Sequence, residues 1–250
     1  MRKQIIVTSS IRPREGKFTY SNTRSYFSTE ERFRQTVYTV NSLRNSIPDC
    51  EIVIVDTSDD YEEYRKTFSY FQNTVFVPLK ELSEEVFEIT NTHKNKSYCE
   101  SLILNTYYKK YRHYIKKLDF IGKTSGRYCH FNFNDSLLTE QNKDKFFFKR
   151  PMAFEWDDAW KYQMVDNRAR QGNNIFHQYS SVLYMYGIDN LDRMIDINEM
   201  MIHITNKQEY SHYDVETLLF YLTRQYQNQV IETDWLVCGW EGAGGGFLYY

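Results

Sequence analysis

The stretch EIVIVD, Glu51 to Asp56, joins four apolar β-branched residues to a carboxylate. An uninterrupted run of this kind suits a strand buried on both faces, and an acid at its carboxyl end stands where open α/β sheets bind ligands. Upstream, Lys3 to Thr8 carries a second such run, Ile5-Ile6-Val7, and reads as the first strand. Between the two, Ser9 to Ser28 is polar, contains Pro13 and Gly16, and is too long for an ordinary βα connection, which marks it as a functional loop. Ser28-Thr29-Glu30-Glu31 has the form of a capping box and predicts a helix from Thr29 to Asn45, ended by Pro48 and Asp49.

This strand-loop-helix-strand order implies a right-handed crossover in a doubly wound sheet. Downstream, the spacing predicts helices at Tyr61–Gln72, Lys96–Tyr111 and Val215–Gln227, and strands at Thr74–Pro78, Leu118–Thr124, Phe146–Phe148 and Val182–Met185. The fold class expected is α/β, a Rossmann-like, mainly parallel central sheet flanked by helices. One domain is expected over residues 1–250, with a nucleotide-binding part to about residue 130 and an acceptor-side part beyond it.

With 22 Tyr and 17 Phe, core and clefts should be strongly aromatic, and general disorder is excluded. A net charge of -2 excludes a global basic field for nucleic acid. Cys50, Cys99, Cys129 and Cys238 show no Cys-x-x-Cys spacing, so reduced thiols are expected rather than zinc or a disulfide framework. The opening MRKQIIVTSS has only three consecutive apolar residues, and no apolar run reaches membrane-spanning length, so a soluble cytoplasmic protein without a transmembrane segment is expected.

Four segments follow apolar runs or close the chain, and so are candidates for chemistry. Thr8, Ser9, Ser10 and Arg12 after the first strand offer hydroxyls and amides for ribose or phosphate, and Asp56 can accept from a base or ribose hydroxyl; ordinary turn formation explains the same residues. In Lys123-Thr124-Ser125-Gly126-Arg127-Tyr128, Gly126 permits close approach, the fork of Arg127 suits a diphosphate, and Lys123 adds a compact charge. A turn whose arginine pairs with a buried acid is the alternative. The terminal GAGGG, residues 242–246, lacks the Lys-Ser/Thr of a phosphate-binding loop and reads as a closing loop. His177 and His203 sit among apolar residues as packed histidines, and no His-x-x-x-His spacing supports catalytic zinc. Trp156 and Trp160, four apart, suit either stacking on a sugar or base or a helix packing face.

IIVTSSIRP, the run EERFRQTVYTVNSLRNSIPDCEIVIVDTS, NKSYCES, KTSGRY and YDVETLLFYL together resemble a group of GT-A-like glycosyltransferases from bacterial surface-glycan loci and large viruses, whose members carry a Lys-x-Ser-Gly-Arg-Tyr strand end. The resemblance covers most of the chain. It implies a nucleotide-sugar donor and a hydroxyl acceptor, with Arg32, Gln35, Asp56, Lys96, Glu100 and Lys123 to Tyr128 around the donor. For an inverting transfer it also implies a general base, for which Asp214 and Glu216 at a helix start are the candidates; Asp214 suits a helix cap equally well. The Asp-x-Asp of the wider GT-A class is absent after the central strand. Asp59-Asp60 comes too early, Asp157-Asp158 lies outside any strand end, and Asn132, Asn134 and Asp135 form a weaker oxygen set. Arginine and lysine are therefore expected to replace the metal, so that no cofactor is required, unless Asp56 and Asp135 meet across the pocket to hold Mn²⁺ or Mg²⁺. A glycan acceptor in polysaccharide biosynthesis, in the cytoplasm of a bacterium or a virus-infected cell, is favoured. Two alternatives stay open: phage DNA modification at a hydroxymethylated base, against which the acidic balance counts, and a non-catalytic binding module.

Overall fold

A computed structural model describes residues 1–18, 21–155, 175–207, 213–242 and 244–249. The two β-branched runs form adjacent parallel strands, β1 (Lys3–Ser9) and β2 (Cys50–Asp56), in a register that sets Ser9 opposite Asp56. Between them runs α1 (Thr29–Ser46), opened by the capping box: Ser28 Oγ accepts from Glu31 N at 3.3 Å while the Glu31 carboxylate accepts from Ser28 N at 2.8 Å. After β2 come α2 (Glu62–Phe68), β3 (Thr74–Pro78), α3 (Leu79–Leu82), α4 (Glu84–Thr92), α5 (Lys96–Ile115) and β4 (Phe120–Ser125). Asp49 and Asn73, at φ 55° and 53°, supply the left-handed turns that lead into β2 and β3.

Alternate residues of each run serve opposite faces of the sheet. Ile5, Val7, Ile52 and Ile54 share a core with Val40 and Leu43 of α1 and Phe68 of α2, whereas Ile6, Val53 and Val55 share one with Leu104 and Tyr108 of α5. Burial on both sides explains the unbroken β-branched runs.

The rest of the chain adds β5 (Tyr128–His130), β6 (Phe146–Lys149), β7 (Met152–Glu155), β8 (Ile175–Gln178), β9 (Leu183–Gly187), α6 (Leu191–Thr205), α7 (Val215–Thr223), β10 (Val230–Thr233), β11 (Val237–Trp240) and β12 (Phe247–Tyr249). The main sheet has seven strands in the order β10-β6-β9-β4-β1-β2-β3, and β9 alone runs antiparallel to its neighbours. A mainly parallel sheet containing the three expected strands is thus found. Two helices are shorter than expected. The chain leaves α2 after Phe68, and α7 tightens after Thr223 into a 3-10 helix over Arg224–Gln229. Asp214 caps α7, accepting from Thr217 N at 2.6 Å. No helix among the described residues is long and apolar enough to cross a membrane.

Beside the main sheet, β12-β11-β5 form a three-stranded sheet and β7-β8 a hairpin. Through β5 the small sheet is pinned to α1: Ser42 Oγ accepts from His130 N at 3.1 Å, and Ser46 Oγ donates to His130 O at 2.6 Å. The His130 imidazole is buried with Nε2 3.2 Å from Thr124 Oγ1, whose own proton goes to Val182 O at 2.6 Å. Nε2 must therefore donate, and Nδ1 is left as a buried acceptor without a hydrogen-bond donor. Burial pushes this imidazole down to about 3. An unfolded histidine takes up its proton near pH ~6.5. The unfolded state thus binds the extra proton first as pH falls, and His130's contribution to stability declines from about pH 6.5 toward 3. We expect His130→Asn to unfold with a flatter pH dependence than the native chain in urea titrations between pH 7 and 4.5. Equal slopes would assign the acid sensitivity to other groups.

Candidate functional site

The carboxyl ends of β1, β2 and β4 meet above the sheet, and the loops leaving them are tied together by backbone contacts. Asp56, wholly buried, accepts from Ser58 N at 2.8 Å through one oxygen and from Ile11 N at 3.0 Å through the other. Thr57 N donates to Ser9 O at 3.1 Å, and Ser58 Oγ accepts from Arg12 N at 2.8 Å. Asp56 therefore holds two loops in register, and Arg12 turns outward, its guanidinium 3.2 Å from Asp60.

At the end of β4 the six residues KTSGRY divide their work. Lys123 is completely buried, ion-paired with Glu100 of α5, and donates to Ser181 O at 3.1 Å. Burial alone would lift the Glu100 carboxyl, but the positive charges of Lys123, Lys96 and Arg127 hold it below its usual range. Gly126 sits against α1: a Cβ there would lie 2.8 Å from Thr36 Oγ1, and Thr36 Oγ1 is 3.2 Å from Gly126 O. The glycine thus lets the first helix close on the strand end. Arg127 is buried, with its Nε donating to Trp240 O at 3.1 Å.

These ends frame a cavity of about 910 Å³, including its open mouth, whose walls include Thr8, Ser9, Ser10, Ser125, Arg127, Arg32, Lys96 and Glu100. Asp56, Arg12, Lys123, Gly126 and Tyr128 do not line it. Arg32, on the second turn of α1, is buried with Nε donating to Ser10 O at 2.8 Å. Desolvation, together with the like charge of Arg127 and against the pull of Asp56, pushes its guanidinium down to about 9. Arg24, from the long β1–α1 loop, joins the same wall, donating to Thr90 O at 3.0 Å and His93 O at 2.5 Å. Of the acids in the lining, Glu100 is matched by Lys123, which leaves Glu241 facing Arg24, Arg32, Lys96 and Arg127. The charges in the lining are therefore mainly positive.

The lining offers two carboxylates, Glu100 and Glu241, of which Glu100 is already paired with Lys123. No group of three His, Cys, Asp or Glu side chains stands together among the described residues. Asp135 pairs with Lys3, at 3.4 Å, at the start of β1, whereas Asp56 ends β2, so the two lie at opposite ends of the sheet. Asn134 caps the 3-10 turn over Asp135–Leu137. Asp157, Asp158, Trp156, Trp160 and His212 lie outside the described residues.

A second cavity, of about 740 Å³, shares the wall formed by Lys96, Ser125 and Arg127 and continues along Tyr128, Met152, Gln178, Ser180, Ser181 and Glu216. Glu216 accepts a short hydrogen bond from Ser181 Oγ. Asp214, in contrast, is outside this lining, with its oxygens taken by Thr217 N and by Gln178 Nε2 at 3.0 Å. Sequence reasoning missed Arg24, Thr90, Asn91 and Glu241, which line the first cavity, whereas Gly242, which also lines it, opens the terminal glycine-rich stretch read as a closing loop. Only Arg24, inside the long polar loop, carried a signal that could have found it. His177 stacks on Phe220, with ring centroids 5.1 Å apart, as a packed histidine does.

No protein-family model matches the sequence, and no curated protein is found to match it. Solved structures do. Mouse xyloside xylosyltransferase 1, in its apo form, superposes with a TM-score of 0.51 at 10% identity, over 93% of this chain and 84% of that one. Core-mannan synthase A from Aspergillus fumigatus, in its Mn/GDP form, gives a TM-score of 0.52 at 10% identity, over 95% of this chain and 74% of that one. Likeness at this identity is likeness of fold: the chain has the mixed α/β fold of the GT-A glycosyltransferases.

Proposed function

We propose that this protein is a glycosyltransferase that moves a sugar from a nucleoside-diphosphate donor to a hydroxyl of a glycan. The observation that carries this reading is the pair of adjacent buried guanidiniums, Arg32 and Arg127, in a cationic cavity at the strand ends, with a carboxylate facing the adjoining cavity across a shared wall. Two buried like charges repel unless an anion lies between them, and a diphosphate supplies both charge and bidentate acceptors. GDP is the nucleotide in the Aspergillus structure, which supports a nucleoside diphosphate as the donor class here. In the reaction Glu216 takes the proton of the acceptor hydroxyl, the oxygen bonds to the anomeric carbon, and the bond from that carbon to the diphosphate breaks. Arg32 and Arg127 stabilise the charge that grows on the leaving group, with Lys96 beside them. Ser181 orients the base. Asp214 supports it indirectly, as the cap of α7 and the partner of Gln178.

A glycan is favoured over a modified DNA base as acceptor because the wall of the second cavity includes the hydrogen-bonding side chains of Ser125, Gln178, Ser180 and Ser181, and the chain carries no net positive charge. Melting scans with a panel of nucleotide sugars are expected to show a rise in Tm for the true donor, by mass action. With that donor, Arg127→Ala should lose on the order of a hundredfold in turnover, the scale of deleting one fixed charge-stabilising donor. Unchanged turnover would make Arg127 structural.

Glu216→Gln and Asp214→Ala separate base from cap. The first should cut kcat with little change in donor affinity, whereas the second should lower stability by about 1 kcal/mol and leave kcat within a few fold. The reverse pattern would move the base to Asp214. Because cationic side chains occupy the place of a metal-binding carboxylate pair, turnover is expected to persist in excess EDTA. Complete loss, restored by Mn²⁺ or Mg²⁺, would put a cation in the reaction.

A further inference from the structure

Cys129 and Cys238 stand directly opposite each other where β5 pairs antiparallel with β11. Trp240 N donates to Arg127 O and Phe131 N to Leu236 O, at 3.3 and 3.1 Å. Each of those pairs lies two positions from the cysteines, so Cys129 and Cys238 fall at a hydrogen-bonded position of the ladder. Opposed residues at such a position point to the same face, with Cα atoms about 5.5 Å apart, inside the roughly 4.4–6.8 Å that disulfides span, and with Cβ atoms about 5 Å apart, so that bridging draws the two strands together by roughly 1 Å.

Both thiols are half-buried and free, whereas Cys50 and Cys99 are fully buried. Burial pushes the Cys129 thiol up, and a charge on Cys238 pushes it further, as expected of neighbouring sulfurs. Desolvation pushes Cys50 and Cys99 to about 12, which leaves them poor nucleophiles.

The two strands also carry parts of the site. Arg127 immediately precedes β5, and Trp240, the last residue of β11, receives its Nε–H at 3.1 Å. Beyond Trp240, Gly242 packs so closely that a Cβ would lie 2.9 Å from the Arg127 guanidinium carbon, and its carbonyl accepts from Tyr26 N at 2.9 Å. The wall that β11 leads into therefore rests on Arg127.

We propose that Cys129 and Cys238 are a modification site: they form a reversible intramolecular disulfide by exchange with a low-molecular-weight disulfide, and the link holds the C-terminal wall of the cationic cavity against Arg127. One cysteine thiolate attacks a sulfur of the small disulfide and expels a small thiolate. The second cysteine thiolate then attacks the mixed disulfide at the protein sulfur and expels the other. The two cysteines give up two protons and two electrons, and the reagent is reduced to two thiols. The raised thiols make the exchange slow near neutrality and faster at higher pH. Bond formation does not depend on the reaction assigned to the cavity.

The test is incubation of the full chain with glutathione disulfide at pH 7 and 8.5, followed by thiol titration and peptide mapping. Loss of two thiols is expected, with a cross-linked peptide joining Cys129 to Cys238, Cys50 and Cys99 still free, and full reversal by dithiothreitol. The link closes a loop of more than a hundred residues in the unfolded chain, so the oxidised protein should melt roughly 5 °C or more higher. Hydrogen exchange of the backbone over residues 239–242 should slow severalfold. Cys129→Ser and Cys238→Ser, or the alanine variants should serine disturb folding, must each abolish the cross-link. Stable mixed disulfides with glutathione, cross-linked dimers, no loss of thiols, or a lowered Tm would overturn the proposal. Unchanged exchange over residues 239–242 would overturn the restraint on the wall.

Discussion

One buried ammonium links the two halves of the site. Lys123, inside the central strand and shut off from solvent, pairs with Glu100 on α5 and donates to the carbonyl of Ser181, whose hydroxyl in turn donates to Glu216. Glu100 lines the first cavity and Glu216 the second. Desolvating a charged pair is costly, and removing one member strands the other, at about 3–5 kcal/mol. The pair therefore sets the position of α5 against β4 and the position of the segment before β9. Both cavities inherit their shape from it.

Around this pair the protein concentrates positive charge. Arg32 and Arg127 are held as buried neighbours by backbone carbonyls, Ser10 O and Trp240 O, rather than by carboxylates. Such carbonyl contacts orient a guanidinium without neutralising it, so the positive potential stays available to a ligand. Arg14 shows the contrast: Asp59 and Glu88 grip it from both sides, raise its affinity for its proton and use up its charge. Glycines complete the arrangement by absence of bulk. Gly126 lets α1 close on the strand end, and Gly242 lets the C-terminal loop lie against the Arg127 guanidinium.

The polarity of the sheet and the division of the chain are linked. β9 comes from the second half of the sequence yet pairs with β4, and Glu241 and Gly242 close a cavity otherwise built from the first half. In the other direction, Lys96, Ser125 and Arg127 wall the cavity that holds Glu216. Each cavity thus draws on residues from both sides of position 130.

Local pattern alone determined a good deal of this protein. The β-branched runs at Ile5 and Ile52, the capping box at Ser28 and the polar strand ends announced a sheet with its site at the carboxyl edge, because strand burial and helix capping are satisfied by residues close in sequence. The periodic residues on the inward faces of α4 and α6, Val86, Phe87 and Thr90, then Leu191, Met194, Ile195 and Met201, were equally legible. What no local pattern holds is who meets whom. In the sequence Lys123 reads as a phosphate ligand, Asp56 as a ribose acceptor and Asp214 as a base; in the fold α5 brings Glu100 to Lys123, Ile11 and Ser58 donate to the two oxygens of Asp56, and Thr217 and Gln178 donate to those of Asp214. Two carboxylates or two arginines are chemically alike in a sequence. Burial and long-range pairing, which exist only once the chain has closed, decide which becomes a strut and which keeps its charge for a ligand.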